Sequence, residues 1–303
     1  MRVFLTGASG WVGSAVVPEL LNAGHDVVGL ARTTATAERL VAAGVAPVAG
    51  DLTDLESLRA GARGADAVIH LAYDHDFSRM GAAGEVDRAA LRAFAEEFGG
   101  TEVPVIFASG LLGLPTHRVA TEDDLLDADS WLPPRHKAEL LSKQLAEQTG
   151  VRTSVIRMAP TVHGAGGDWG FITSYVESAI ERGVAAFVED GSHHWPAVHR
   201  SDAASLFRTA IENPGPGGSV LHACAENVPF KQISEAVARQ LDVPLKRIEP
   251  EEATEHFGPA GPFFTLGAVV SSDATQARYG WKPVGPSLLQ DIDDGVYTPA
   301  PGI

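Results

Sequence analysis

The sequence predicts an α/β fold in which a doubly wound parallel sheet carries a smaller carboxyl-terminal lobe. Up to about residue 160, short β-branched and apolar runs alternate with segments of helical periodicity, which is typical of a sheet covered on both faces. Beyond Pro160 this alternation weakens, and Gly, His and Pro become frequent. We therefore expect a core of residues 1–160 and a lobe of residues 161–303, with a segment of about 195–213 returning to the core.

The alternation of apolar runs and helical segments predicts the strands and helices in chain order. Predicted strands of the core lie near residues 2–6, 26–31, 46–49, 66–72, 103–108 and 152–158. Between them, apolar residues recur at helical spacing near residues 11–23, 35–43, 54–62, 83–98 and 135–149. In the lobe the same spacing predicts helices near residues 169–182, 201–212, 230–241 and 285–294.

Composition narrows the classes of function that remain. The chain of 303 residues carries a formal charge of −16 and is 45% hydrophobic. The acidic balance argues against nucleic acid as a partner, because nucleic-acid binding normally depends on a basic face. A single cysteine, Cys224, and the lack of an apolar run of spanning length indicate a cytoplasmic protein that does not bind a membrane. The expected partners are a small-molecule substrate and, in a homodimer, a second copy of the chain.

A glycine-rich segment, residues 6–13, directly follows the first strand. Gly7 permits a sharp turn, Gly10 removes a Cβ that would block a pyrophosphate, and Gly13 lets the next helix pack close to the sheet. That helix would direct its free N–H groups toward the phosphates. A turn without a ligand is the alternative. The pattern favours a dinucleotide site of the Rossmann type, with contacts from Thr6, Gly7, Ser9, Gly10, Trp11, Val12 and Gly13.

Residues at the ends of the second and third strands help to distinguish NADP(H) from NAD(H). Arg32 stands where an acidic residue would accept hydrogen bonds from the adenosine ribose, and two threonine hydroxyls follow it. A guanidinium suits a 2′-phosphate, so we predict NADP(H) in preference to NAD(H); a solvated arginine is the alternative. Asp51 and Leu52 follow the third strand, and Asp51 either approaches the adenine amino group or caps the next helix.

Several segments, in order and spacing, resemble the extended or atypical short-chain dehydrogenases/reductases, a superfamily of NAD-dependent epimerase/dehydratase-like proteins. The resemblance covers nearly the whole chain and rests on residues 6–13, 50–52, 67–72, 106–109, 155–164, 197–204 and 273–283. It implies that the ends of the fourth and sixth strands contact the nicotinamide half of the cofactor, through His70, Leu71, Ala72, Ala159, Pro160 and Val162. For His70, a hydrogen-bonded histidine at a strand end is an equal alternative.

The resemblance also implies a catalytic Ser109, which would hydrogen-bond the reacting carbonyl or hydroxyl; a serine that caps the following loop is the alternative. The family uses a tyrosine followed four positions later by a lysine to move the proton. Counting back from Arg157, this chain has Trp131 and Arg135 at those positions. Arg135 can still bind the ribose, but tryptophan does not titrate in water, so we expect the proton-transfer pair to be replaced or lost.

Other side chains are candidates for the missing proton donor. Histidine is the strongest chemically, because its ordinary pKa lies near neutrality. For each candidate, a surface or structural role is the alternative. They are Tyr73, His136, Lys137, His163 and His199.

The substrate side is expected at the carboxyl ends of the strands, covered by the lobe. A glycine-rich loop carries Trp169, and the histidine-rich segment 192–200 carries Trp195 and His199. With Tyr73, these residues are predicted to contact substrate. Phe257, Phe263 and Phe264 either close the pocket or belong to the lobe core. The aromatic bias favours an apolar substrate, and the histidines lack metal-ligand spacing, so we predict no metal.

These observations favour an NADP(H)-dependent oxidoreductase that acts on a small, apolar carbonyl or alcohol metabolite. Two alternatives remain open. The protein is a catalytically degenerate NADP(H)-binding regulator or redox sensor, which the missing Tyr–Lys pair favours, or it is an epimerase or dehydratase with bound NAD.

Overall fold

The computed structural model describes residues 1–76, 79–126, 135–168 and 170–298, and within them seven parallel strands form the central sheet. The strands are β1 Arg2–Thr6, β2 Asp26–Ala31, β3 Ala46–Ala49, β4 Ala67–His70, β5 Pro104–Gly110, β6 Arg152–Met158, β7 Thr161–His163, β8 Ala185–Val188, β9 His194–His199, β10 Ser219–Ala223, β11 Glu226–Pro229 and β12 Leu245–Ile248. The central sheet has the order β10-β6-β5-β4-β1-β2-β3. This order reverses beside β1, so the predicted doubly wound fold is confirmed.

The helices are α1 Gly13–Asn22, α2 Thr34–Ala42, α3 Leu55–Ala62, α4 Met80–Phe98, α5 Arg135–Thr149, α6 Phe171–Arg182, α7 Arg200–Glu212, α8 Phe230–Leu241, α9 Ala253–Phe257, α10 Asp273–Tyr279 and α11 Leu288–Asp293. Two short 3-10 helices, Pro250–Glu252 and Gly258–Thr265, flank α9. The six predicted strands of the core are all present, with boundaries that differ by at most two residues.

Alternating burial along the strands divides the core into two layers. In β1, Val3 and Leu5 face one hydrophobic cluster, whereas Phe4 faces the other. The first layer contains side chains of α1 and α7, and the second contains side chains of α3 and α4. Because successive strand residues point to opposite faces, a fully apolar strand is buried on both sides by helices.

The chain after residue 160 contributes more to this sheet than the sequence predicts. Helix α7 packs against α1, and the strand β10 that follows it pairs with β6 through residues 219–223. By contrast, β9 pairs with β7 and β11 in a separate three-stranded sheet, although the side chain of Val198 in β9 already packs in the hydrophobic cluster of the central sheet. Strand β10 has only five residues after a Pro- and Gly-rich turn, which leaves too little periodicity to identify it.

The lobe has its own core, and it is aromatic. Trp195 is 0% exposed, and its indole N–H donates to Thr161 Oγ1 at 2.7 Å. This position differs from the pocket-lining role predicted for Trp195, because the indole N–H already has a partner and other rings surround it. The neighbouring aromatic side chains of this core are Phe171, Tyr175, Phe230, Phe257, Phe263 and Phe264. Phe257, Phe263 and Phe264 are therefore packing residues of the lobe.

No helix in the described ranges is long and apolar enough to cross a membrane. Across those ranges, no three His, Cys, Asp or Glu side chains are grouped so that they could hold a metal. Cys224 is buried, and burial raises the pKa of its thiol to about 12, which makes it a poor nucleophile at neutral pH.

Candidate functional site

The turn between β1 and α1 requires glycine at two positions. Gly7 has a φ of 73°, and a Cβ there would lie 2.7 Å from the backbone nitrogen of Ala72. A Cβ on Gly13 would lie 2.0 Å from the carbonyl oxygen of Gly7. No side chain fits at either place, so the helix start, the turn and the end of β4 pack backbone against backbone. A Cβ on Gly10 would meet only the Gly7 carbonyl, at 3.2 Å, which leaves that side of the turn open.

The amino terminus of α1 fits an anionic ligand. Its N-cap residue is Val12, and no side chain caps the helix. The hydroxyl of Ser14 donates back to the Trp11 carbonyl instead. Helix N–H groups without a capping side chain, beside an open glycine turn, form the usual cradle for a pyrophosphate. The residues present therefore fit a dinucleotide cofactor.

Trp11 and Arg200 connect this turn to the lobe. The indole N–H of Trp11 donates to the Val162 carbonyl at 2.6 Å, and the Arg200 guanidinium lies 4.0 Å above the Trp11 ring. Arg200 also donates to Ser14 Oγ at 2.8 Å and to the Ala165 carbonyl at 3.0 Å. The predicted nicotinamide segment at Val162 is thus held against the glycine turn. Sequence reasoning missed Arg200, because no local pattern marks an arginine that acts across 189 residues.

At the ends of β2 and β3, the two candidate residues for the adenosine half differ in their partners. Arg32 is exposed. Asp51 accepts hydrogen bonds from the backbone N–H and hydroxyl of Thr53 at 2.9 and 2.7 Å, and these bonds, with a smaller contribution from Arg32, lower the pKa of Asp51. The N-cap of α3 is Asp54 and not Asp51, because Asp54 accepts from the first-turn N–H groups. Leu52 is half-buried beside it.

His70 is a buried, hydrogen-bonded histidine at the end of β4. Its Nδ1 lies 2.7 Å from Thr6 Oγ1, and its Nε2 lies 3.2 Å from Asp87 Oδ1 of α4. Thr6 Oγ1 also accepts from the backbone N–H of Ala72 at 3.2 Å. Through these contacts, Thr6 and His70 fix the backbone from Leu71 to Ala72, which packs against Gly7. Of the two readings left open for His70, the structure favours the hydrogen-bonded side chain.

Three polar side chains, those of Tyr73, Ser109 and Arg135, lie at the carboxyl ends of β4 and β5. Ser109, at the end of β5, is 2% exposed. Arg135, the first residue of α5, donates to the Ala108 carbonyl at 3.1 Å, and its guanidinium lies 3.9 Å above the ring of Tyr73. Among the described residues, Ser109 Oγ, Tyr73 Oη and Arg135 Nε are buried without a hydrogen-bond partner. Buried polar atoms normally have partners, so this group marks a place where a ligand would supply them.

The histidine candidates for proton transfer occupy other positions. His163 is 1% exposed, and its Nδ1 lies 2.6 Å from the Asp291 carboxylate of α11. His199 caps α7 by accepting from the Ser201 N–H, and its ring lies 5.3 Å from the His163 ring. Burial, and then the neighbouring His163, lower the pKa of His199. His163 thus joins elements of the lobe, whereas His199 caps the helix that packs against α1.

Of the remaining candidates, His136 is buried in the first turn of α5, and Lys137 beside it is exposed. Ala159 is buried, and its N–H donates to the Ala223 carbonyl at 3.1 Å, which links the end of β6 to β10. Pro160 follows it, half-buried. Trp131 and Trp169 lie outside the described residues.

A buried charge cluster anchors α5 to the sheet beside this site. Arg157 of β6 donates Nη2 to Glu139 Oε2 at 2.8 Å, and both residues are buried. Arg157 also contacts His222 of β10, at 3.2 Å from Nη1 to Nε2. Burial lowers the pKa of His222 to about 4, so its ring is neutral at physiological pH. Because Arg135 and Glu139 are one helical turn apart, this cluster also positions Arg135.

A surface cavity of about 310 Å³ lies at the opposite edge of the sheet. Its lining includes Glu102 and Arg152, at the amino-terminal ends of β5 and β6. Ligands of doubly wound sheets bind at the carboxyl ends, where the glycine turn and Ser109 lie. Because this cavity lies at the amino-terminal edge, we do not assign it as the functional site.

Comparison with known proteins identifies the family of this chain. A family model described as the NAD dependent epimerase/dehydratase family matches residues 3–222. The chain is 42% identical over 299 residues to the "Uncharacterized protein C2A9.02" of Schizosaccharomyces pombe, covering 98% of this chain and 100% of that protein. It is 28% identical over 232 residues to a Stigmatella aurantiaca protein named 4-hydroxy-2-methyl-3-oxo-4-farnesyl-3,4-dihydroquinoline-1-oxide ketoreductase, covering 73% and 67% of the two chains.

A solved structure extends the similarity in fold to the whole chain. MoeE5 in complex with UDP-glucose and NAD superimposes with a TM-score of 0.74 at 20% identity, covering 98% of both chains. The family match covers most of the chain and includes the glycine turn, Ser109 and the anchor of α5. This protein belongs to the NAD dependent epimerase/dehydratase family.

Proposed function

We propose that this protein is an NADP(H)-dependent oxidoreductase that interconverts a carbonyl and an alcohol on a small metabolite. The observation that carries the proposal is the buried Ser109 hydroxyl, which has no partner among the described residues and lies at the carboxyl edge with the glycine turn. When bound, the nicotinamide cofactor supplies two electrons and one hydrogen to the carbonyl carbon. The name of the Stigmatella aurantiaca relative, a ketoreductase, supports a ketone as the reacting group.

The cofactor would bind along the glycine turn, with its pyrophosphate at the start of α1 and its nicotinamide half beside residues 70–72 and 159–162. At the adenosine end, the exposed Arg32 offers charge and a fork of donors to a 2′-phosphate. The preference for NADP(H) rests on this residue.

Fluorescence titration with NADPH and NADH tests the cofactor preference. We expect the wild-type protein to bind NADPH more tightly, and Arg32→Ala to weaken NADPH binding by about 10-fold while NADH binding changes little. Arg39→Ala is the matched control, because Arg39 is an exposed arginine on α2 that donates to Thr36. Equal affinity of the wild-type protein for both cofactors would remove the role assigned to Arg32.

Ser109 would donate a hydrogen bond to the substrate oxygen as negative charge develops there. In a panel of ketones and aldehydes with NADPH, we expect Ser109→Ala to lower kcat by about 100-fold with NADPH affinity unchanged. Ser154→Ala is the control, since Ser154 is an equally buried serine with an unpartnered hydroxyl, in the middle of β6. Equal effects of the two substitutions would argue against a catalytic Ser109.

The alternatives make different predictions for the same preparations. Tight NADPH binding without turnover of any panel substrate would favour a dinucleotide-binding regulator or redox sensor. NAD that stays bound through purification would favour an epimerase or dehydratase. The aromatic residues that suggested an apolar substrate belong largely to the lobe core, so the panel should also include polar carbonyl compounds.

A further inference from the structure

We propose that Tyr73 is the residue that transfers the proton in this site and that Arg135 is the cation that positions it. This inference rests on the proposed oxidoreductase function. In relatives with the tyrosine and lysine pair, one helix carries both the proton donor and the cation. Here the donor would lie on the segment after β4 and the cation on the first turn of α5.

The first support is geometric. The Arg135 guanidinium lies 3.9 Å above the Tyr73 ring, and its Nη1 donates to the Ala108 carbonyl at 3.1 Å. Ala108 directly precedes Ser109, so one arginine links the phenol to the strand end that carries the proposed substrate-binding hydroxyl. Tyr73 itself follows Ala72, which packs against Gly7 of the cofactor turn. The phenol therefore lies between the cofactor turn and Ser109 along the edge of the sheet.

The second support is the hydrogen-bonding state of the pair. Tyr73 Oη and Arg135 Nε are both buried, and neither has a partner among the residues that the structure describes. A phenol that served only to pack would be expected to donate its hydroxyl hydrogen to the protein or to face water. A donor held without a partner, at the same edge of the sheet as the equally unpartnered Ser109 hydroxyl, is suited to a substrate oxygen.

Burial favours the protonated phenol of Tyr73 at neutral pH, and the charges around it act in both directions. Burial raises the pKa of Tyr73, Arg135 of α5 opposes that rise, and Asp87 of α4 adds to it, while Arg88 lowers the value slightly. His75, on the same segment, contacts the ring edge to face at 5.3 Å. Arg135 is thus the main charge that stabilises a phenolate here, which is the role a lysine has in the family's usual pair.

With the hydride that NADPH would supply, Tyr73 provides the one proton that the reduction still needs. As the carbonyl carbon is reduced, the O–H bond of Tyr73 breaks, and its proton forms the O–H bond of the product alcohol. The electron pair of the broken bond stays on the phenolate beside Arg135. Water then returns a proton to Tyr73, and the oxidation of an alcohol follows the same path in reverse.

A titration that needs no cofactor tests the pair directly. Ultraviolet absorbance of tyrosinate is followed against pH in the wild-type protein and in Tyr73→Phe, and the difference isolates the phenol of Tyr73. We expect Arg135→Gln to raise the pKa of this phenol and Arg135→Lys to restore it toward the wild-type value. An unchanged pKa in Arg135→Gln would overturn the positioning role of Arg135.

Kinetics with a panel substrate test proton transfer. Tyr73→Phe should lower kcat by about 100-fold or more while the Kd for NADPH changes less than about 2-fold, because only the proton donor is removed. Arg135→Gln should also move the alkaline limb of the pH–rate profile upward. Tyr279→Phe is the control: it removes another buried, unpartnered phenol hydroxyl, on α10, and should retain full turnover.

The outcomes separate this inference from the proposed function. Turnover in the wild-type protein that survives Tyr73→Phe would overturn the role of Tyr73 and leave the oxidoreductase proposal standing. No turnover in the wild-type protein, with the pKa of Tyr73 still dependent on Arg135, would overturn the oxidoreductase proposal and the assigned proton transfer while retaining the electrostatic pair.

Discussion

His70 shapes the site through its contacts with neighbouring side chains. Its imidazole is held between Thr6 and Asp87, and all three side chains are buried. Thr6 in turn binds the N–H of Ala72, the residue whose backbone meets Gly7. Polar groups buried in this way are costly unless they are paired, so the set holds the end of β4 in one conformation.

Gly13 offers a direct test of the close packing at the cofactor turn. A methyl group at Gly13 would have to displace the Gly7 carbonyl, so we expect Gly13→Ala to lower the free energy of unfolding by about 1–3 kcal/mol. Binding of NADPH should weaken by at least about 10-fold, because the turn itself must move. Thermal or denaturant unfolding and fluorescence titration measure the two effects.

The control for Gly13→Ala is another helical glycine with free space around it. A Cβ on Gly81 of α4 would meet nothing within 4 Å, so Gly81→Ala should leave NADPH binding unchanged and stabilise the helix by up to about 1 kcal/mol. A Gly13→Ala protein with wild-type stability and affinity would contradict the packing described here.

At the scale of elements, α5 matters because it carries the candidate site on its first turn. Its charged face is buried against β6 and β10 through Glu139, Arg157 and His222. Breaking such a pair leaves an uncompensated charge, whereas the intact cluster holds the helix in register with the strands. The position of the candidate site therefore depends on the buried ion pair between Glu139 and Arg157.

The neutral His222 makes the anchoring of α5 sensitive to acid. The unfolded chain has an ordinary histidine pKa near 6.5, and burial lowers the folded value to about 4. As the pH falls, the unfolded chain binds this proton first, so stability is lost between about pH 6.5 and pH 4, by on the order of 3 kcal/mol. Denaturant unfolding at a series of pH values measures this loss.

Replacement of the imidazole isolates this contribution. His222→Gln lacks the titrating group and retains an amide donor for the Ser271 carbonyl, which lies 2.8 Å from His222 Nδ1. Its free energy of unfolding should therefore change less than that of the wild-type protein over the same pH interval. Parallel curves for the two proteins would show that other groups cause the acid sensitivity.

At the scale of the whole molecule, Arg200 joins the lobe to the cofactor turn. It stacks on Trp11 and donates to Ser14 on one side and to Ala165 on the other. Burial lowers the pKa of Arg200, with Asp168 opposing that shift, but the guanidinium stays charged at neutral pH. The lobe and the turn are thus coupled by one side chain.

We expect Arg200→Gln to weaken NADPH binding by about 10-fold, because a cation–π contact and charge-assisted hydrogen bonds are lost together. Limited proteolysis should also cleave faster within residues 164–167, next to the lost Ala165 contact. Arg208→Gln is the control, since Arg208 also lies on α7 and binds Glu19 of α1 away from the turn. Unchanged affinity in Arg200→Gln would mean that the turn keeps its shape without the lobe.

Much of this organisation was predictable from local patterns. The six strands, the long helices and the glycine turn all follow from periodicities that act over a few residues. The short strand β10 could not be predicted, because five residues after a turn are too few to show a periodicity of apolar residues. Trp195 was misplaced for a related reason: an aromatic residue near histidines looks the same whether it faces a pocket or a packed lobe.

By itself, the sequence determined a parallel α/β fold and the place of the glycine turn, because both depend on patterns among neighbouring residues. Only the tertiary structure decided that Arg135 lies over Tyr73, that His163 belongs to the lobe and that Arg200 reaches the turn. Those contacts join residues that are 62, 128 and 186 positions apart. Contacts over such distances arise when the sheet brings strand ends to one edge, and no local spacing encodes them.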